Sequence, residues 1–231
     1  SLKKIKLTLD LSNFKINAKT IDTKITFKGK LIELEYIKTK ISLNSFIKNQ
    51  LVASEIEIST KPILLKNFVS IIRSINNRPE LFFLEGFIKK GYLIADLQFN
   101  FDEFGILKED YKVNGLIKEG EINIFKKNKL EKINFLFDIT ENNFNFTDIN
   151  FDINNIDFLS ERLNIKKNKK DYLIEGNIRN KNSLLNDELL QMIKLKYPQF
   201  GLINTNFESN TDFSLNINDK QKVENLILNS N

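Results

Sequence analysis

Apolar and polar residues alternate with a period of two along most of this chain, and few folds can use such a pattern. Ile5, Leu7, Leu9 and Leu11 alternate with Lys6, Thr8 and Asp10, and Phe14, Ile16 and Ala18 follow, then Ile25 and Phe27 before Gly29. The clearest run is Leu93, Ala95, Leu97, Phe99 and Phe101, whose other phase carries Asp96, Gln98, Asn100 and Asp102. Tyr111, Val113 and Ile117 repeat the pattern, as do Ile133, Phe135, Phe137 and Ile139, then Tyr172, Ile174 and Ile178, then Phe213, Leu215 and Ile217. Successive side chains of a strand point to opposite faces, so each run describes a strand with one apolar and one wet face. Antiparallel meanders are built from such strands, whereas parallel sheets covered on both sides need continuous apolar runs between many helices. The expected class is therefore mainly β, a long antiparallel meander.

Two stretches carry helical spacing instead. From about Pro62 to Ile75, Leu64, Leu65, Phe68, Ile71, Ile72 and Ile75 form one apolar stripe. Pro62 suits an early helical position, and Asn76, Asn77 and Pro79 are read as the stop. The second spans about 184–196, with Asn182 or Ser183 as N-cap, Leu185, Leu189, Ile193 and Tyr197 as its apolar line, and Pro198 as its end. Both are expected to cap or cover part of the sheet, where they would protect open edges.

The alternation changes phase once in a conspicuous way. Phe144 and Phe146 share a phase that Ile149, Phe151 and Ile153 do not, and a bulge or tight bend between them would return both sets to one face. Two segments, Tyr111 to Ile117 and Tyr172 to Ile178, share the spacing Tyr-x-(Val/Ile)-x-Gly-x-Ile through Gly115 and Gly176. They read either as a weak internal repeat with units ending near 118 and 179, or as chance similarity between amphipathic strands. A glycine on the apolar side leaves room for a bend or a close neighbour. The 231 residues are read as a single β-rich domain or a fragment of a longer repetitive protein, since the chain opens on Ser1.

Composition removes most chemistries. With no Cys and no His, the chain lacks thiolate zinc sites, disulfides, Ser-His-Asp and Cys-His nucleophiles, and the commonest transition-metal ligand. No phosphate-binding glycine loop and no calcium loop of the Asp-x-Asp-x-Asp-Gly kind is present, although Asp148, Asp152 and Asp157 lie among asparagines. Asp102, Glu103, Glu109 and Asp110 bracket a turn around Gly105 and read as solvated. The expectation is a non-enzymatic protein with no cofactor and no metal. A net charge of +5 points toward nucleic acid or an anionic membrane. Abundant Lys, Asn, Ile and Phe, however, are also what a strongly A+T-rich genome imposes, and the aromatic side of each strand excludes most of the lysines. A stacking platform for bases needs both on one exposed face, so nucleic acid is not expected as a partner. Twenty phenylalanines with no tryptophan favour extensive burial or an apolar binding surface. No apolar run reaches the ~18 residues of a membrane-spanning helix.

Amphipathic strands in series, one helix after the first few, and the Tyr-x-Ile-x-Gly-x-Ile unit together resemble the AsmA-like family. These are bacterial relatives of the bridge-like lipid-transfer proteins. Ile41 to Ile75 looks like that family's strand–helix passage, and Phe144 to Ile178 like its later repeats, so the resemblance spans roughly residues 23–180. It implies a twisted sheet curved into a groove or taco-like half-barrel in the periplasm, anchored to the inner membrane through a segment of a longer parent chain. It also implies phospholipid or another acyl lipid as the partner. The residues expected to line the groove are Leu93, Leu97, Phe99, Ile133, Phe135, Phe137, Ile174 and Ile178. The alternative is a structural or adhesive β-repeat module whose apolar face is sealed.

Overall fold

The computed structural model describes residues 4–27, 29–43, 53–75, 79–124, 128–153, 156–168, 171–184, 206–218 and 222–231. The protein is mainly β. The first strands are β1 (Lys4–Asp10), β2 (Lys15–Phe27), β3 (Lys30–Ser42), β4 (Ala53–Thr60) and the two-residue β5 (Ile63–Leu64). Helices α1 (Leu65–Ile75) and α2 (Pro79–Phe87) follow. The remaining strands are β6 (Ile88–Asn100), β7 (Lys112–Ile124), β8 (Asn128–Ile139), β9 (Asn143–Ile153), β10 (Ile156–Asn168), β11 (Asp171–Leu184), β12 (Asn206–Ile217) and β13 (Val223–Ser230). They form one antiparallel meander in chain order from β1 to β13, open at both ends, with β5 pairing beside β6 off the main path.

The helical stretch expected over 62–75 begins at Leu65. Ile63 and Leu64 extend instead and pair with Leu93 and Tyr92, which satisfies their backbone groups before the helix starts. Leu65, Val69 and Ile71 are buried, and Arg73 in the last turn suits the negative end of the helix. Pro79 does not end this region. It opens α2, where a residue without an N–H costs nothing. Arg73 Nε joins the two helices through Glu85 Oε2 at 2.7 Å. Of the second expected helix, Leu184 is the last residue of β11, and the rest lies outside the described residues.

Among the described residues, six other than glycine have φ near +50°, and five of them lie inside strands: Asp22, Glu119, Lys132, Asp148 and Asn225. Such a conformation is uncommon for residues with a side chain, and it turns a strand sharply. Asp148 sits where the sequence changes phase. Thr147 pairs with Arg162 and Ile149 with Ser160, while Asp148 is left out of the ladder. Asp22 repeats this arrangement between the pairs Ile21–Tyr36 and Thr23–Leu34. At both places the apolar phase moves from even to odd positions: Ile16 and Ala18 before Asp22, Ile25 and Phe27 after it.

The chain packs as two compact units, one of residues 1–85, 92–116 and 137–141, the other of residues 86–91, 117–136 and 142–231. In the first unit, buried apolar side chains lie on α1 (Leu65, Val69 and Ile71), on β5 and β6 (Ile63, Leu93 and Ala95), on β3 (Leu34) and on β8 (Phe137). Thr60 ties β4 to β6 there, its hydroxyl accepting the Ala95 amide at 2.9 Å. In the second unit, Ile88 and Ile156 are the buried apolar residues among those described.

Candidate functional site

Strand register converts the alternating sequence into continuous rows. In the first unit, Leu7 stands opposite Ala18, Ala18 opposite Thr39, Thr39 opposite Ile56, and Ile56 opposite Phe99. A neighbouring row runs Ile5, Thr20, Ile37, Ile58 and Leu97. These residues share one side of the sheet, because positions two apart point the same way. The side chains on this side are only partly covered: Ile37, Ile56, Ile58, Leu97 and Phe99 are half-buried, and Ile5, Leu7 and Leu9 on the edge strand are exposed.

The second unit has rows of its own. Phe144, Ile165, Ile174 and Leu215 lie in direct register across β9 to β12, all half-buried. Beside them run Phe146, Leu163, Gly176, Phe213 and Leu228, with Leu228 exposed on β13. Phe135 meets Phe146 edge to face with ring centroids 5.7 Å apart, a favoured aromatic arrangement.

The reverse side of the first unit is charged. Lys38 bonds both carboxylate oxygens of Glu57 at 2.8 and 2.9 Å, and Lys40 bonds both of Glu55 at 2.8 and 2.7 Å. Glu55 holds the Lys40 ammonium above its usual range despite partial burial. Burial pushes the Glu57 carboxyl up, but the Lys38 hydrogen bond and the neighbouring charges outweigh it and hold the group low. In the second unit Asp152 and Asp157 face each other across β9 and β10. Burial also pushes Asp152 up, yet bonds from Lys132 and Asp157 hold it below the usual carboxylate range. Asp157 is pushed the other way, by its hydrogen bond to Asp152 and by that neighbour's charge. Among the described residues, no group of three acidic, histidine or cysteine side chains could hold a metal ion.

The eight residues singled out from sequence fall into three environments. Leu93 and Phe137 are buried at 2 and 8% exposure and belong to packed regions of the first unit. Leu97 and Phe99 lie on its half-covered apolar side, and Ile133, Phe135 and Ile174 are half-buried in the second unit. Ile178 stands opposite Thr211 and is exposed. The structure thus brings Leu97 together with Phe99, and places Ile174 in a row with Phe144, Ile165 and Leu215. Sequence reading had not singled out Ile37, Ile56, Ile58 or Ile165 as lining residues. Each lies on a strand shared with lysine or glutamate, and only the register shows that these short runs continue one another.

Both glycines of the repeated spacing lie under a phenylalanine ring. A β-carbon on Gly115 would run into the Ile94 carbonyl oxygen and lie 2.8 Å from Phe137 Cζ. One on Gly176 would lie 2.9 Å from Cζ of Phe213, its cross-strand partner, and 3.0 Å from the Arg162 carbonyl oxygen. A ring folded over a strand glycine covers backbone that would otherwise be wet and pins the pairing register.

Other large apolar groups are exposed apart from these rows. Phe82, Phe83, Leu84 and Phe87 on α2 are exposed, as are Phe104 and Ile106 in the turn after β6. Asp102 Oδ1 shapes that turn by accepting the Phe104 and Ile106 amides, each at 2.9 Å, with Gly105 at φ +81°. No family model matches this chain, and neither does any curated protein or solved structure.

Proposed function

We propose that this chain is a non-catalytic lipid-binding or lipid-transfer module of the AsmA-like kind, working in the periplasm as part of an inner-membrane-anchored parent protein. The observation that supports it is the pair of half-covered apolar row systems, one on each unit, with a salt-bridged charged face behind the first. An acyl chain laid along such a row removes CH₂ groups from water at ~0.8 kcal/mol each. A chain of about 16 carbons would therefore gain on the order of 12 kcal/mol before entropy costs. Rows of Ile, Leu and Phe offer few polar anchors, so they suit acyl chains in general better than one headgroup. Leu97, Phe99, Phe135 and Ile174 are the lining residues this reading retains, because part of each remains accessible. Leu93 and Phe137 serve it only as support.

The burial of Leu93 and Phe137 favours a second reading, a structural β module sealed by its own side chains or its neighbours. Native mass spectrometry of the purified chain, with lipid extraction of the same sample, separates the two. The lipid reading expects co-purified phospholipid that is lost in Phe99→Asp and Phe135→Asp while the far-ultraviolet spectrum stays β. A lipid-free mass with no uptake from added vesicles would leave the structural module.

A further inference from the structure

On the charged side of the first unit, directly opposed residues obey opposite-sign pairing almost throughout. Lys24 faces Glu33, Lys38 faces Glu57, Lys40 faces Glu55, and Asp10 faces Lys15. The exception is one row: Lys6 faces Lys19, and Lys19 faces Lys38. Like charges directly opposite one another destabilise a sheet, so this row is kept against a local cost. Strands lie about 4.8 Å apart, which spreads the three ammonium stems over roughly 10 Å.

The surroundings leave most of that charge unanswered. Lys38 is held by Glu57 on its far side, whereas Lys6 has no acidic residue opposite it and Lys15, though it faces Asp10, makes no salt bridge among the described residues. Lys19 lies 4.6 Å from the centre of the Tyr36 ring, a contact that keeps its charge. Asp10, the one carboxylate at the site, is taken up by the turn that follows β1. It accepts from Ser12 Oγ at 2.8 Å, Asn13 N at 3.1 Å and Asn13 Nδ2 at 2.9 Å. Together with Lys15 and Lys40 the row lines a shallow cleft of about 470 Å³.

We infer that this cleft is an anion site for a ligand carrying two or more phosphate groups, with Lys6, Lys15 and Lys19 as its contacts. The cleft is too long for a single phosphate, and ammonium groups bind phosphate as point charges without needing a rigid fork. The phosphates could be those of a free polyphosphorylated anion or of anionic phospholipid headgroups, and the chemistry is the same for both. The site lies on the opposite side of the sheet from the apolar rows, so it stands or falls independently of the acyl-chain reading.

Titration calorimetry with inorganic tripolyphosphate at low salt tests it, alongside flotation with phosphatidylcholine vesicles with and without phosphatidylglycerol. Expected are binding that weakens as salt rises, and a loss of about fivefold or more on replacing one lysine, the scale of a single lysine near an anionic surface. Tripolyphosphate binding without flotation assigns a free anion. Flotation that requires phosphatidylglycerol assigns a headgroup. Lys19→Glu should abolish binding and leave the fold intact, since a glutamate between Lys6 and Lys38 restores the alternating signs. If that variant does not fold, Lys6→Gln on the edge strand provides the same readout. No binding of either probe, or binding undiminished in the folded variant, would overturn the site.

Discussion

The two compact units stabilise the same kind of amphipathic strand by different means. In the first, apolar side chains are withdrawn from water on α1, β3 and β6, where Leu34, Leu65, Val69, Leu93 and Ala95 are all buried. In the second, most described apolar residues stay half-covered, and the groups buried completely or nearly so include Asp152, Ser160, Asn177 and Asn180. These act at irregular strand positions. Between Leu159 and Leu163 the β10–β11 register shifts, and Asn177 Oδ1 accepts the Glu161 and Arg162 amides there at 3.0 and 3.3 Å. Asn180 Nδ2 donates to the Asp157 carbonyl at 2.7 Å. Asparagine carries both a donor and an acceptor on a short stem, so it can replace ladder bonds that a bulge breaks. A sheet region with a helix can be packed like a core, and one relying on side-chain amides can keep its apolar side chains partly accessible.

Truncating the packed region should show the largest effect. Leu93→Ala is expected to cost about 2–5 kcal/mol and Phe137→Ala about 3–5 kcal/mol, the range for fully buried side chains. Ile174→Ala in the second unit should cost clearly less, because that side chain is already half solvated. Urea unfolding of the three variants measures this, and equal losses would erase the contrast. Next come the glycines. Gly115→Ala places a methyl against the Ile94 carbonyl, a backbone atom that cannot rotate away, and overpacking of this kind costs ~1–3 kcal/mol. Gly176→Ala meets a movable ring at its closest contact and should cost less in the same measurement.

A smaller, pH-dependent difference is expected at Asp152 and Asp157. Asp152 has a lowered folded pKa, so its contribution is present above the unfolded value of 3.8 and is lost as pH falls through the folded pKa. Asp157 has a raised one, so its favourable protonated state is lost as pH rises through its folded pKa. Asp157→Asn mimics the protonated form and should raise the melting temperature at neutral pH, with the gain fading below about pH 4, near the ordinary aspartate value. A gain that persisted at acid pH would assign the effect to something other than this pair. Lys24→Ala should show least of all. Its partner Glu33 is held low by the Lys24 hydrogen bond, but both are well exposed and screened by water, so the melting temperature should stay essentially unchanged.

The meander was legible because period-two alternation has one common structural meaning, and the phase change near Asp148 was legible as a break in it. Asp22 produces the same change in β2, but Ile21 beside it blurs the pattern, so the break does not stand out. α2 escaped notice because Pro79 reads equally as a stop and as a start, and its Phe82, Phe83, Leu84 and Phe87 make no stripe. Accessibility was the least legible property. Leu93 and Leu97 stand in the same alternating run, yet one is packed and the other half open, a distinction that follows their partners: Leu93 pairs with buried Ile63 of β5, Leu97 with half-buried Ile58 of β4.

Because every strand of the main path except the β4–β6 pair neighbours its predecessor in sequence, almost no pairing must wait for a distant segment. Most strands can close on the one made just before them across a short connection with a small entropy of closure, the step from β11 to β12 across residues 185–205 being the longest between sequence neighbours. Such a chain should fold quickly for an all-β protein, since rates track the sequence distance between contacts. It can also fold as it leaves the ribosome, strand by strand. The slow step is expected where that rule is broken, at the insertion of β5, α1 and α2 between β4 and β6.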